Sequence, residues 1–251
     1  MKAFFAALGF LTVLPVPRHF QGNGAELERC VPFFPLVGLV LGILAALFDT
    51  VVSLLLPPSV AGVLTVLLLV GMTGGLHMDG LADTADGCFS ARNRETMLAI
   101  MRDSRIGTMG VIAIVFVILL KTAALSTLPF PHRTALLILM PVAGRTAMMG
   151  MMTALPYARA DGGLADRFLR RRSWGNVVWG ACFLLAAGGL LARGMGVAAA
   201  VTAIGATAAV TASIRHTIGG FTGDTLGAVG EISETVLLLA AAAWLFRLPP
   251  L

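Results

Sequence analysis

Long apolar runs separated by short polar connections dominate the pattern of this 251-residue chain. A helix needs about 20 apolar residues to cross the hydrocarbon core of a bilayer. No alternation of apolar and polar positions competes with the helical interpretation. We therefore expect an all-α polytopic membrane bundle of about 6–7 transmembrane helices, forming one integral membrane domain. The candidate spans are residues 31–56, 60–74, 109–129, 134–156, 174–192, 195–214 and 235–248.

The composition agrees with a lipid environment. Hydrophobic residues make up 57% of the chain and charged residues 12%, whereas a soluble domain is about 25% charged. A soluble fold could not bury so much apolar surface, because much of its exterior faces water. The N-terminal apolar segment ends in Leu14-Pro15-Val16-Pro17-Arg18 without a small-residue cleavage site, so we expect it to be retained.

The charges fall unevenly on alternate connections. Most arginines lie on one set of connections, and by the positive-inside rule that face is cytoplasmic. The same face also collects most of the carboxylates, and a concentration of both signs indicates a polar site. Acids there would hold a cation, and arginines would hold an anionic substrate. The net charge of +5 comes without a basic stripe interleaved with aromatic residues, which argues against nucleic acid as a partner.

The first acidic motif lies in residues 74–87. Asp79, Asp83 and Asp86 are spaced i, i+4 and i+7, which places them on one stripe of a helix. Like charges on one stripe repel each other, and a divalent cation relieves the repulsion. Oxygen ligands of this kind suit Mg²⁺, which also bridges to substrate phosphates. The alternative is a solvated acidic helix start. His77 is a metal ligand, a general base or, most commonly for a lone histidine, a satisfied polar group.

The second motif, in residues 101–110, combines an acid with two arginines. Asp103 is a candidate metal ligand, and Arg102 and Arg105 are candidates to clamp phosphate oxygens. The alternative is a helix N-terminus at a membrane entry, capped by Asp103 or Ser104.

The third motif begins with a glycine-rich stretch at residue 219 that could wrap an anion. Asp224 and Glu231 are spaced i, i+7, and Glu234 follows one turn later, so they form a second acidic ledge that could face the first. The alternative is a flexible turn between helices with exposed charges.

Three further ionisable residues, Asp49, Lys121 and Arg145, sit inside apolar runs. An ionisable residue at membrane depth is a functional hypothesis by default. Lys121 could instead snorkel to the surface. Arg145 either lines a cavity for an anionic ligand or pairs with a carboxylate.

Together these motifs closely resemble the cobalamin synthase family, the adenosylcobinamide-GDP ribazoletransferases. The resemblance rests on the sequences at 74–87, 101–108 and 222–228, with 10–18 and 34–38 also similar, so it spans nearly the whole chain in order. It implies a magnesium-dependent enzyme of the bacterial cytoplasmic (inner) membrane in the last stage of vitamin B12 assembly. Its substrates would be adenosylcobinamide-GDP and α-ribazole or its 5′-phosphate, and GMP would be released.

With the resemblance, the motifs give specific expectations for a cytoplasmic-side active site. The expected metal ligands are Asp79, Asp83, Asp86, Asp103, Asp224 and Glu231. The expected catalytic residues, one of which accepts the hydroxyl proton, are His77, Asp83 and Asp86. The expected substrate-binding residues are Arg102, Arg105, Arg145, Asp224 and Thr225.

Two other function classes compete with this interpretation. CDP-alcohol phosphotransferases also use aspartates at cytoplasmic helix ends, but the sequence from Asp79 to Asp83 lacks their Ala-Arg step and longer downstream spacing. An ion-coupled transporter would also use membrane carboxylates, but it would place them near the midplane on broken helices. Acids concentrated in cytoplasmic connections favour an enzyme.

Overall fold

The computed structural model describes residues 1–17, 24–159 and 172–247, and within these ranges the regular structure is helical. One isolated parallel bridge joins Tyr157 to Phe221. The all-α prediction is therefore confirmed. The described α-helices are α1 (Lys2–Leu11), α2 (Gly24–Glu28), α3 (Phe34–Val52), α4 (Pro58–Met72), α5 (Leu76–Cys88), α6 (Arg94–Ile100), α7 (Thr108–Thr127), α8 (His132–Ala154), α9 (Trp174–Thr217) and α10 (Gly223–Phe246).

Several of these helices are long and apolar enough to cross a bilayer, so the protein is a multi-pass membrane protein. Among the described residues, five segments meet this criterion: α3 with the short turn before it, α7, α8, α9 and α10. A sixth span is possible because α4 and α5, bent by 90° relative to each other, meet it as a pair. The bend separates an apolar helix from the polar helix that carries the first acidic motif.

Helix α9 is a hairpin of two helical segments. Its backbone leaves helical geometry at Ala192 and at Arg193, where φ is 52°. A Cβ added to Gly188 would lie 2.7 Å from the carbonyl oxygen of Gly196, although eight residues of straight helix span about 12 Å. The chain therefore reverses at this point, as the separate predicted spans 174–192 and 195–214 require.

Helix α10 begins twelve residues before the predicted span 235–248. Its start is a reciprocal cap: the Thr225 amide donates to Thr222 Oγ1 (3.2 Å), and the Thr222 amide donates to Thr225 Oγ1 (2.8 Å). The predicted span 235–248 therefore starts too late, because Glu231 and Glu234 already lie within the helix. Thr225, predicted to bind substrate, is fully buried in this cap.

Helix α8 forms the centre of the bundle and packs against α3, α9 and α10. Gly38 and Gly42 on α3 face the backbone of α8, where an added Cβ would overlap Pro141 and Ile138. Small residues four apart allow such close approach of membrane helices.

A buried ion pair fixes the end of the bundle opposite the acidic motifs. Arg133 donates from Nε and Nη2 to the two oxygens of Asp49 at 2.8 and 2.6 Å. Its Nη1 donates to the carbonyls of Leu125 (2.9 Å) and Pro58 (3.0 Å). Thr65 Oγ1 donates to Asp49 Oδ1 at 2.9 Å. These bonds join α3, α4, α7 and α8, and they give Asp49 a structural role.

We predict that Asp49→Ala destabilises the protein by about 3–5 kcal/mol, because it leaves the Arg133 guanidinium buried without its carboxylate. The measurement is chemical unfolding in detergent. Asp103→Ala is the matched control, since it removes the acid of an exposed pair with Arg105 and should barely move the unfolding midpoint. Equal midpoints for the two variants would contradict the structural role of Asp49.

Candidate functional site

Two glycines allow α5 and α10 to touch backbone to backbone. A Cβ added to Gly80 would lie 2.7 Å from the carbonyl oxygen of Asp224, and one added to Gly227 would lie 2.9 Å from that of His77. No other residue type fits at such a distance without a backbone shift. The contact therefore places the start of the third motif directly against the first.

The contact assembles an aspartate cluster, which we define as Asp79, Asp83 and Asp224. Asp79 is exposed and Asp83 is partly buried. The charges of Asp79, Asp224 and Asp86 all act on the Asp83 carboxyl. Within the described residues, neither Asp79 nor Asp83 has a basic partner within ion-pair distance. These two carboxylates are therefore open to a cation or a proton.

Arg159 forms the basic edge of the cluster. Its Nη2 donates to Asp224 Oδ2 at 2.8 Å. A short parallel bridge holds it there: the Ala158 amide donates to the Phe221 carbonyl (2.9 Å), and the Phe221 amide donates to the Pro156 carbonyl (2.8 Å). Sequence reasoning counted Arg159 only among the arginines of its connection, because nothing in the pattern links that connection to Phe221.

Asp86 connects the first motif to the second. Its two oxygens accept hydrogen bonds from the amides of Gly107 (2.7 Å) and Gly110 (2.8 Å). These amides belong to the N-cap and first turn of α7, where helix N–H groups lack internal partners. Asp86 therefore positions α7 against α5, and this geometry does not support its predicted metal-binding and catalytic roles.

Asp103 and Arg105 bind each other at the surface. Arg105 Nη2 lies 2.6 Å from Asp103 Oδ2, and the Arg105 side chain is 86% exposed. Hydrogen bonds from Arg105 lower the pKa of Asp103 to about 2. This local pair does not support the predicted metal ligation by Asp103 or substrate binding by Arg105. Arg102, from the same motif, instead lines a groove that Arg159 also borders.

A buried charge network, made of Lys121, Arg145, Glu231 and Glu234, lies between α7, α8 and α10. Lys121 Nζ is 2.6 Å from both Glu231 Oε2 and Glu234 Oε2. Arg145 Nη1 binds Glu234 Oε1. Two cations thus balance two carboxylates, all four at most 6% exposed. Glu231 is therefore occupied by Lys121, which does not support its predicted role as a metal ligand, and Arg145 pairs with a carboxylate, one of its two expected roles.

His77 extends this network to α5. Its Nδ1 is 3.3 Å from Arg145 Nη2, and the residue is 2% exposed. A general base must reach the proton that it removes, so this position disfavours the predicted catalytic role. The network therefore links α5, α7, α8 and α10 through side chains, with His77 as its contact to α5.

Among the described residues, no three His, Cys, Asp or Glu side chains are arranged as a metal site. Mg²⁺, however, commonly uses one or two carboxylates and completes its shell with water and substrate phosphate. The open carboxylates of Asp79 and Asp83, one helical turn apart, fit that smaller donor set.

We predict that Gly80→Ala lowers turnover by about 10²-fold, because separating α5 from α10 misplaces the aspartate cluster by a fraction of an ångström or more. The control is Gly71→Ala on α4, where an added Cβ meets nothing within 4 Å. The measurement is turnover of each purified variant. Gly80→Ala turning over as fast as Gly71→Ala would show that the close contact is dispensable.

We predict that Lys121→Met destabilises the protein by about 3–5 kcal/mol, because it leaves excess negative charge in the bundle. The double variant Lys121→Met with Glu231→Gln should lose less than the single variant, since it restores the charge balance. Unfolding midpoints in detergent measure both. Additive losses would show that the network is not coupled.

Comparison with known proteins gives a consistent result. A family model described as cobalamin-5-phosphate synthase matches residues 3–242. A relative from Acetivibrio thermocellus is 36% identical over 239 residues, covering 95% of this chain and 96% of the relative. One from Escherichia coli K12 is 41% identical over 256 residues, covering 95% and 98%. Both relatives carry the name adenosylcobinamide-GDP ribazoletransferase. No solved structure matches the chain.

Proposed function

The chain belongs to the cobalamin-5-phosphate synthase family, and we propose that it joins adenosylcobinamide-GDP to α-ribazole or its 5′-phosphate at the aspartate cluster. It is a transferase of cobalamin biosynthesis, in agreement with the names of its relatives. This family membership favours the ribazoletransferase over the CDP-alcohol phosphotransferase and over the ion-coupled transporter.

The reaction replaces one bond to phosphorus with another. The ribazole hydroxyl oxygen bonds to the phosphorus that carries cobinamide, the bond from that phosphorus to the GMP oxygen breaks, and GMP leaves. The hydroxyl proton must pass to an acceptor. Charge spreads over the phosphoryl oxygens during such transfers, so catalysis depends on positioning and electrostatic stabilisation.

The single observation that carries the proposal is the meeting of two acidic motifs, distant in sequence: the open carboxylates of the first lie beside Asp224 of the third, which holds Arg159. Asp79 and Asp83 would hold Mg²⁺ against the diphosphate. The bound ion would neutralise charge on the phosphate oxygens. Asp224 would contribute either as a further metal ligand or by orienting Arg159.

The protein side chains then have separable roles. Asp83 is also the candidate acceptor of the hydroxyl proton, through the carboxylate oxygen that does not hold the cation. Arg159, oriented by Asp224, supplies positive charge beside the phosphoryl oxygens. The buried charge network and Asp86 hold α5 in place and do not touch substrate.

We place the protein in the bacterial cytoplasmic membrane with the aspartate cluster facing the cytoplasm. The reversal in α9 puts both ends of that hairpin on the side of the cluster. That side is richer in arginine than the opposite side, which favours a cytoplasmic position. Its described arginines include Arg92, Arg94, Arg102, Arg105, Arg159, Arg172 and Arg215, whereas Arg133, Arg193 and Arg247 lie on the other side.

The test is incubation of the purified protein with adenosylcobinamide-GDP and α-ribazole 5′-phosphate, with and without Mg²⁺. We expect GMP and the joined corrinoid only when Mg²⁺ is present. Asp79→Asn and Asp83→Asn should each lower turnover by about 10²-fold or more, because each removes charge from the cation site. Asp103→Asn is the matched control and should retain turnover, since its carboxylate only pairs with Arg105.

Full Mg²⁺-dependent turnover by Asp83→Asn would remove both roles assigned to that residue. Absence of GMP from the wild-type reaction would refute the proposed reaction itself.

A further inference from the structure

A groove lies beside the aspartate cluster, between α6 and residues Ala158 and Arg159. Its volume is about 580 Å³, within the range of small-molecule pockets. We call it the arginine groove, since Arg94, Arg102 and Arg159 line it. Arg159 belongs to both places, because it also binds Asp224 of the cluster. A ligand in the groove would therefore lie next to the proposed reaction centre.

Hydrogen bonds from the Arg94 side chain to backbone carbonyls build one wall of the groove. Arg94 donates from Nη2 to the Ala158 carbonyl at 2.7 Å and from Nε to the Ile218 carbonyl. These bonds tie α6 to the segment before Arg159 and to the end of α9. They use two of the five N–H groups of the guanidinium, so the same side chain can both fix the wall and donate to a ligand.

The charge of the groove selects an anion. Among the described residues that line the groove, three carry a guanidinium group and one, Glu95, carries a carboxylate. Arg159 is also paired with Asp224, and the lining keeps a net positive charge beside the negative cluster. Arginine forks match the geometry of phosphate oxygens. The aliphatic side chains of Leu98, Ala99 and Ala158 line the same groove and offer an apolar surface for a flat ring. Phosphate recognition beside an apolar wall describes a nucleoside monophosphate.

We propose that the arginine groove binds a nucleoside 5′-phosphate. This binding would not need the cation that the aspartates would hold. The inference rests on the proposed function, where two molecules share this chemistry: the GMP part of the donor and α-ribazole 5′-phosphate. Under this proposal Arg94 and Arg159, which the motifs did not predict, contact the ligand. Arg102, for which substrate binding was predicted, lies in the same lining.

The experiment measures direct binding of GMP, α-ribazole 5′-phosphate and α-ribazole to the full-length protein in detergent, by equilibrium dialysis. The variants are Arg102→Glu, which reverses an exposed charge in the groove, and Leu98→Trp, which fills the groove without changing charge. Arg105→Glu is the matched control: it makes the same charge change three residues away, on a side chain outside the groove lining. Unfolding midpoints verify that each variant is folded.

We expect both groove variants to weaken binding of one phosphate ligand by about tenfold or more, while Arg105→Glu stays within about twofold. Arg102→Glu removes a charged hydrogen bond, for which such a loss is typical, and Leu98→Trp occupies the space of the ligand. Weakened GMP binding identifies the donor nucleotide as the occupant. Weakened binding of α-ribazole 5′-phosphate, with α-ribazole unaffected, identifies the acceptor.

Binding of both phosphate ligands to Arg102→Glu and Leu98→Trp as tight as to Arg105→Glu would overturn the proposal. If the proposed function is wrong but the groove proposal is right, the wild type would bind the ligands and release no GMP from adenosylcobinamide-GDP. The two proposals can therefore fail independently.

Discussion

The contact between α5 and α10 at Gly80 and Gly227 is the constraint on which the site depends. Backbones that approach this closely leave no room for side chains between them, and the contact brings Asp224 of α10 beside Asp79 and Asp83 of α5. A negative cluster assembled in this way is unfavourable by itself. The fold holds it in place through interactions elsewhere, and the repulsion that remains favours binding of a cation.

Whether a charged residue of the site is ion-paired depends on its depth in the bundle. At the surface, Asp79 and Asp83 have no ion pair within the described residues, while deeper in the bundle Glu231 and Glu234 are neutralised by Lys121 and Arg145. Buried charges are tolerated only when paired and hydrogen-bonded. The pairing also connects α7, α8 and α10 beneath α5, with His77 as the link to α5. Acids from one helix, α10, therefore serve different purposes according to their distance from the surface.

Much of the fold could be predicted from the sequence, because a membrane span is a local property of about 20 apolar residues. Even the reversal at Arg193 was visible as a charged break between two apolar runs. The start of α10 was not, since Glu231 and Glu234 look like residues that face water. Their partners are 110 to 113 residues away at Lys121 and 89 residues away at Arg145, and no local pattern encodes that distance.

The site shows the same division between local and distant information. Helical periodicity correctly placed Asp79 and Asp83 on one face, and the predicted meeting of the first and third motifs occurs for Asp224. Periodicity also included Asp86, whose carboxylate instead binds the amides of Gly107 and Gly110. Spacing identifies residues that share a face, but competition among neighbouring hydrogen-bond donors decides which of them remain available.

The negative aspartate cluster and the positive arginine groove lie side by side, and this arrangement indicates how the substrates would be oriented in the proposed site. A diphosphate carries too much negative charge to approach bare aspartates, so its place beside Asp79 and Asp83 requires a cation. A nucleoside phosphate beside Arg94 and Arg102 needs none, because the guanidinium groups supply the positive charge. Arg159 stands at the boundary, bound to Asp224 and lining the groove. The bond between phosphorus and the departing oxygen would lie across this boundary. Negative charge that develops on that oxygen would there be next to the guanidinium group of Arg159.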